Sequence, residues 1–169
     1  GSDFEIPSTT GLSILNGIAR ITTAGSNGIL LDGYINIEGT DVANQGQLIL
    51  DGGVGSNNYI QYSSSGNAEI RIATGKLVVS SQIRSSTLNS LGVLKYSQLS
   101  KSGSAAQSTV IVGLRSAPVN TRGIFEVYNT GSRFQIYNGS ITIVRPHDNV
   151  ATATRAALYI DPQSIGLNR

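Results

Sequence analysis

"GQLILDGGVGSNNYIQYSSSGNAEIRIATGKLVV" (Gly46–Val79) decides the fold class. Apolar residues come in twos and threes, and glycine, asparagine and serine break each run before a helical face can develop. Alternation is the pattern that remains: Ile60 and Tyr62 flank Gln61, and Ile70 and Ile72 flank Arg71. A period of two sends successive side chains to opposite faces of a strand. Short β-branched runs bounded by turn residues predict an all-β protein.

The same texture extends in both directions. Candidate strands are Ser13–Thr22, Ile29–Ile37, Gln47–Leu50, Asn58–Tyr62, Ala68–Ile72, Lys76–Ile83, Ser108–Arg115, Gly123–Asn129, Arg133–Tyr137, Ser140–Arg145 and Ala156–Ile160. Asn27-Gly28, Asp32-Gly33, Asp51-Gly52 and Asn138-Gly139 are turn signals that separate or end them. "ILLDG" (Ile29–Gly33) returns as "LILDG" (Leu48–Gly52), with a trace in "LYID" (Leu158–Asp161). This echo is either a structural repeat or the common ending of apolar strands in Asp-Gly. "SSTLNSLGVLKYSQLS" (Ser85–Ser100) departs from the pattern, because Leu88, Leu91 and Leu99 could share a helix face. The expected organisation is a shaft-like β segment over 1–85, a connector with a possible short helix over 86–107, and a more compact β domain over 108–169.

Pairing is expected to be antiparallel. Asn138-Gly139 in "RFQIYNGSITIVR" (Arg133–Arg145) suits a two-residue type I′ turn, since both residues tolerate positive φ. Counting outward opposes Ile136 to Ile141, Gln135 to Thr142, and Phe134 to Ile143. The preceding strand then opposes Val127 to Phe134 and Phe125 to Ile136. In the first half, Ile60 opposes Ile70 and Gln61 opposes Glu69. One polar face of the later sheet thus gathers Glu126, Tyr128, Arg133, Gln135 and Tyr137. Two aromatics with amide and charged neighbours can stack on sugars and bond their hydroxyls, so these residues are the candidate receptor-binding site. An ordinary wet sheet surface or an interchain seam has the same composition.

Composition narrows the function classes. Charged residues make 13% of the 169, against roughly 25% in an average soluble domain. Small neutral polar residues and 20 glycines carry solubility instead. Net charge is +2 and the basic residues are scattered, so the clustered stripe that neutralises nucleic-acid phosphates is missing. No apolar run is long enough to span a bilayer as a helix. Cysteine is absent, which excludes disulfides and thiolate metal sites. Only seven tyrosines and three phenylalanines supply aromatic bulk. Two- or three-stranded units cannot bury an apolar face alone. Shared burial among chains would cover those faces and the strand edges. The expected architecture is therefore an elongated, intertwined homotrimeric β fibre of short antiparallel strands.

Three phrases carry a resemblance: "GQLILDG" (Gly46–Gly52), "NNYIQYSSSGNAEIRIATGKLVV" (Asn57–Val79) and "ALYIDPQS" (Ala157–Ser164). Their order of strand, glycine-containing turn and aromatic-polar strand resembles the shaft regions of bacteriophage tail fibres and tail spikes over about half of the chain. The resemblance implies a homotrimer on the virion, outside the cell, joined to other phage tail proteins. Distal parts of such fibres recognise a bacterial surface polysaccharide or an outer-membrane protein, and others space the tip that does. A bacterial trimeric surface adhesin or stalk module is the alternative.

Catalytic chemistry finds little to work with. Cleavage of a glycoside needs two carboxylates about 5–10 Å apart. Asp32 and Asp51 lie in Asp-Gly turns, where the side chain caps backbone. Glu126 has Arg133 and Gln135 as expected cross-strand partners. His147 is the single histidine, and "GGVGSNN" (Gly52–Asn58) lacks the Lys-Ser/Thr ending of a phosphate loop. The reading is non-enzymatic, with no cofactor and no metal. A glycan-depolymerising spike is a further alternative.

Overall fold

A computed structural model of the protein describes residues 2–22, 25–41, 43–54, 56–62, 68–85, 93–99, 108–113, 123–127, 133–138, 142–143, 156–160 and 166–168; from 123 onward it defines the backbone alone. Among the described residues the secondary structure is all β, with no helix. The strands follow one another as successive coils. The first coil holds β1 (Phe4–Ile6), β2 (Gly11–Leu15) and β3 (Ile18–Ile21), and the second β4 (Gly28–Leu31), β5 (Tyr34–Glu38) and β6 (Gly46–Leu50). The third holds β7 (Tyr59–Tyr62), β8 (Ala68–Ala73) and β9 (Gly75–Val79), and the fourth β10 (Gln82–Ser85), β11 (Val93–Leu99) and β12 (Thr109–Val112). The fifth holds β13 (Gly123–Val127), β14 (Arg133–Asn138) and β15 (Thr142–Ile143), followed by β16 (Ala156–Ile160) and β17 (Gly166–Asn168).

Each strand from β1 to β14 pairs in parallel with the strand three places on, which sorts the described strands into three sheets. Sheet A runs β1-β4-β7-β10-β13-β16, sheet B β2-β5-β8-β11-β14-β17, and sheet C β3-β6-β9-β12-β15. This is a parallel β-solenoid in which each full coil contributes one strand to each sheet.

Parallel stacking replaces the expected antiparallel pairing. Ile60 lies beside Ile29 and Ile83 in sheet A, and Ile70 beside Ile35 and Tyr96 in sheet B, so the two do not oppose each other. Phe125 neighbours Ile83 and Leu158, while Phe134 neighbours Leu94 and Leu167. The chain leaves sheet B at Asn138 and enters sheet C at Thr142, so the expected hairpin is a corner between sheets. The physical reason is visible in the first coil. Asn16-Gly17 occupies the same B-to-C corner, and Asn16 adopts φ 54°. Tolerance of positive φ serves a corner as well as a hairpin. The connector expected over 86–107 contains β11, a full member of sheet B, while the rest of that span lies outside the described residues. Sheets A and B run continuously past residue 85.

The core lies between the three sheets. Ile29, Leu31, Ile60, Tyr62 and Ile83 enter it from sheet A, and Ile35, Ile37, Ile70, Ile72, Leu94 and Tyr96 from sheet B. Leu48, Leu50, Leu77, Val79, Val110 and Val112 enter from sheet C. Each such burial contributes roughly 1.5–3 kcal/mol. In the second, third and fourth coils these residues are buried within the one chain.

Corners are held by backbone and side-chain bonds between coils. The Thr40 N–H donates to Asn16 Oδ1 at 2.8 Å, and the Gly39 N–H to the Ala73 carbonyl at 3.0 Å. Buried Asn58 donates from Nδ2 to the Asn27 carbonyl at 2.9 Å and accepts the Gly52 N–H at 2.9 Å. Its own carbonyl accepts the Ser81 N–H at 3.0 Å. Gly46 and Gly75 stack in register at the start of sheet C. A Cβ at Gly46 would collide with the carbonyls of Glu38 and Ile14, and one at Gly75 with the Ile37 side chain, so these coils approach too closely for any other residue.

Candidate functional site

The outer faces of the sheets differ. On sheet A, Asp3 accepts the Gly28 N–H at 2.8 Å and the Tyr59 hydroxyl at 2.9 Å. The Arg84 guanidinium lies 4.0 Å from the Tyr59 ring centroid and donates to Gln61 Oε1 at 2.9 Å and Gln82 Oε1 at 3.1 Å. Burial raises the Tyr59 phenol above its ordinary pKa, and the bond to Asp3 adds to the shift. This cluster is spent on itself: Tyr59 is only 8% exposed.

Sheet C turns an apolar row outward. Ile49, Val78 and Ile111 are register neighbours, and the inward alternates Leu48, Leu77 and Val110 belong to the core. Arg20 precedes this row and Thr142 follows it.

Sheet B carries the open polar face. Gly11, Tyr34, Glu69, Lys95, Gln135 and Asn168 occupy one register row, one residue per strand. Asn36, Arg71 and Ser97 form the adjacent row. Tyr34 is 38% exposed, with the Arg71 guanidinium 5.7 Å from its ring centroid. Glu69 is bridged by Arg71 through Nε to Oε1 at 2.8 Å and through the terminal nitrogen to Oε2 at 2.9 Å. These bonds hold the Glu69 carboxyl below its ordinary pKa, and the nearby Lys95 charge acts in the same direction. Asn36 Nδ2 donates to Glu38 Oε1 at 2.9 Å.

The structure divides the site residues expected from sequence. Arg133, Gln135 and Tyr137 lie in β14 of sheet B, with Arg133 beside Val93 and Gln135 beside Lys95. Tyr137 falls at a register shift, because Tyr96 pairs with Ile136 and Ser97 with Asn138. Glu126 lies in β13 of sheet A beside Arg84 and Tyr159, so it does not share their sheet. Tyr128 lies outside the described residues. The expected single-sheet cluster is thus separated by the corner between sheets A and B. Sequence reasoning missed Tyr34, Glu69, Arg71 and Lys95, which reach one face only because three coils stack. Their signal is the polar outward alternate beside each pair of core residues.

Of the two expected turn carboxylates, Asp51 acts as a cap. Asp51 Oδ1 accepts the Gly53 N–H at 3.0 Å. Asp41 likewise accepts the N–H groups of Ala43 and Asn44 at 2.8 and 2.9 Å, and bonds from Asn44 lower its pKa. Among the described residues no group of three His, Cys, Asp or Glu is placed to hold a metal ion, and His147 lies outside them. At the first coil the interior opens as a cavity of about 450 Å³, lined in part by Phe4, Leu12, Ala19, Ile21, Ile29 and Leu48. No family model, curated protein sequence or solved structure matches the chain.

Proposed function

We propose that the protein is a non-enzymatic segment of a bacteriophage tail fibre that attaches the particle to a bacterial surface glycan, or spaces the tip that does. The observation that carries this reading is the outer face of sheet B, where exposed Tyr34 shares a register row with Glu69 and Lys95 of the next two strands. A stacked solenoid is stiff along its axis and presents one side chain per strand. Aromatic, amide and charged groups at fixed spacing suit a repeating sugar chain better than a single small molecule. The homotrimer of this reading consists of solenoids lying side by side, each with its own core.

Two measurements test the reading. Light scattering on the purified protein should give a mass of three chains. Labelled protein should adhere to host bacteria, and Tyr34→Ala or Tyr137→Ala should weaken adhesion without changing the β-sheet circular dichroism. Adhesion unaltered in both variants would remove sheet B as the attachment face. Release of reducing sugars from capsule or lipopolysaccharide would turn the reading toward a depolymerase.

A further inference from the structure

Resting on the glycan reading of sheet B, we propose that Tyr34, laid across Gly11, is a stacking platform for a neutral pyranose, with Arg71 and Asn36 beside it to bond sugar hydroxyls. The same device occurs in two sheets, closed in one and open in the other. In sheet A, Tyr59 of β7 is in register with Gly28 of β4, and in sheet B, Tyr34 of β5 is in register with Gly11 of β2. A Cβ at Gly28 would collide with the Tyr59 ring, and one at Gly11 with the Tyr34 ring. Each ring therefore occupies the space that a side chain of the preceding coil would fill. On sheet A the ring is sealed: the Tyr59 hydroxyl donates to Asp3 at 2.9 Å, and Arg84 stacks 4.0 Å from the ring centroid. On sheet B, among the described residues, the Tyr34 hydroxyl has no hydrogen-bond partner. Arg71 stands 5.7 Å from the centroid, near the outer limit of a cation–π contact, and the residue stays exposed. Sheltering a glycine accounts for both ring positions. Only Tyr34 keeps a surface to offer.

The ligand class follows from what borders the ring. A pyranose presents an apolar C–H face that an aromatic ring can cover and a rim of hydroxyls that needs donors and acceptors. Of the five N–H donors of a guanidinium, Arg71 uses two on Glu69, which leaves three for hydroxyls. Asn36, beside Arg71 in the adjacent register row, directs Nδ2 to Glu38 and leaves its carbonyl oxygen to accept. The described charges of this outer face, Glu38, Glu69, Arg71 and Lys95, sum to zero. Glu69 is the register neighbour of Tyr34, and Glu38 lies in the same strand. A sugar carboxylate on Tyr34 would meet these two carboxylates before it reached Lys95 in β11, whose own neighbour is Glu69. A neutral sugar meets no such repulsion.

Affinity electrophoresis of the full chain through gels containing dextran, galactan or mannan tests this, with the carboxymethylated form of each polymer run beside it. At least one neutral polymer should retard the protein, undiminished as salt rises from about 0.05 to about 0.3 M, and carboxymethylation should weaken that retardation. Tyr34→Ala should lower the apparent affinity about tenfold with unchanged far-ultraviolet circular dichroism. Gly11→Ala displaces the ring and should lower it by a similar factor. Added to Tyr34→Ala, where the new methyl has room, it should lower it no further. Equal or stronger retardation by the carboxymethylated polymer overturns the neutral class and leaves the glycan reading standing. Full binding by Tyr34→Ala overturns the platform. Further loss on adding Gly11→Ala to Tyr34→Ala shows that the glycine acts through the fold and overturns its positioning role. Retardation by none of the three neutral polymers overturns the proposal as a whole; adhesion to host bacteria then decides separately whether the attachment reading survives.

Discussion

The first and third coils hold the same kinds of residue at the same inward positions, yet only the third is sealed. In the third coil Ile60, Tyr62, Ile70, Ile72, Leu77 and Val79 are completely or almost completely buried. In the first, Phe4 sits in register with Ile29 on the inward row but is 51% exposed, and Leu12, Ala19 and Ile21 are only partly covered. Sequence alternation is equally good in both. The difference is that the third coil has a neighbour on each side, whereas among the described residues β1, β2 and β3 have a neighbour on one side only. Stability in a solenoid is close to a sum of coil and nearest-neighbour terms. An inward residue is therefore worth what its neighbours let it bury.

The largest test of this contrast is a matched pair of truncations. Ile72→Ala in the third coil should cost about 2–5 kcal/mol, lowering the melting temperature by several degrees. Ile21→Ala in the first coil, where the side chain is partly wet, should cost about 1 kcal/mol. Equal losses in chemical denaturation would break the nearest-neighbour account. Next in size, Gly46→Ala should cost about 2–3 kcal/mol, because the new methyl meets backbone carbonyls that cannot turn aside. Its neighbour in space, Gly17, has ample room for a Cβ, so Gly17→Ala should be far milder.

Alkaline titration sharpens the comparison. Burial raises the Tyr96 pKa well above the ordinary 10.0, and Tyr59 is raised as well. The unfolded chain then releases these protons first. Stability from the two phenols is complete below about pH 10 and is lost as pH rises through their folded values. Tyr96→Phe should flatten the alkaline decline. The smallest effect is at the acid end. Glu69 has a lowered pKa, so its pairing with Arg71 contributes above the unfolded carboxyl value, near 4.5, and is lost as pH falls through the folded one. Because the pair is largely solvated, Glu69→Gln should change stability by under about 1 kcal/mol.

The alternation that set the fold class was legible, and so was the direction of individual side chains. Ile60 and Tyr62, Ile70 and Ile72, and Leu48 and Leu50 all face inward. What alternation leaves open is the neighbour. A strand with one apolar face can pair with its successor in a hairpin or with the strand a whole coil later, and Asn-Gly serves both. The coil repeat was hidden because loops of unequal length separate equivalent positions, from Ile6 to Leu31 to Tyr62 to Ser85. The "ILLDG" and "LILDG" echo joins β4 of sheet A to β6 of sheet C, so it marks two strand ends and no stacking. Apparent single strands at Ser13–Thr22, Ile29–Ile37 and Lys76–Ile83 each turn a corner. The strand β11 was masked by leucines at helical spacing, a local preference that stacking between β8 and β14 overrides. At the site, Arg133 and Gln135 could be placed on a polar face from sequence, whereas Tyr34 and Lys95 join them only through tertiary stacking.

The register of β14 tests the account most directly, and the absence of native cysteine makes it accessible to cross-linking. Parallel stacking sets Gln135 beside Lys95, within the range of Cα separations a disulfide can span. A Lys95→Cys/Gln135→Cys chain should therefore close an intramolecular disulfide under mild oxidation, while Gln135→Cys/Thr142→Cys should remain reduced. Closure of the second pair and failure of the first would restore the hairpin and contradict the three-sheet solenoid.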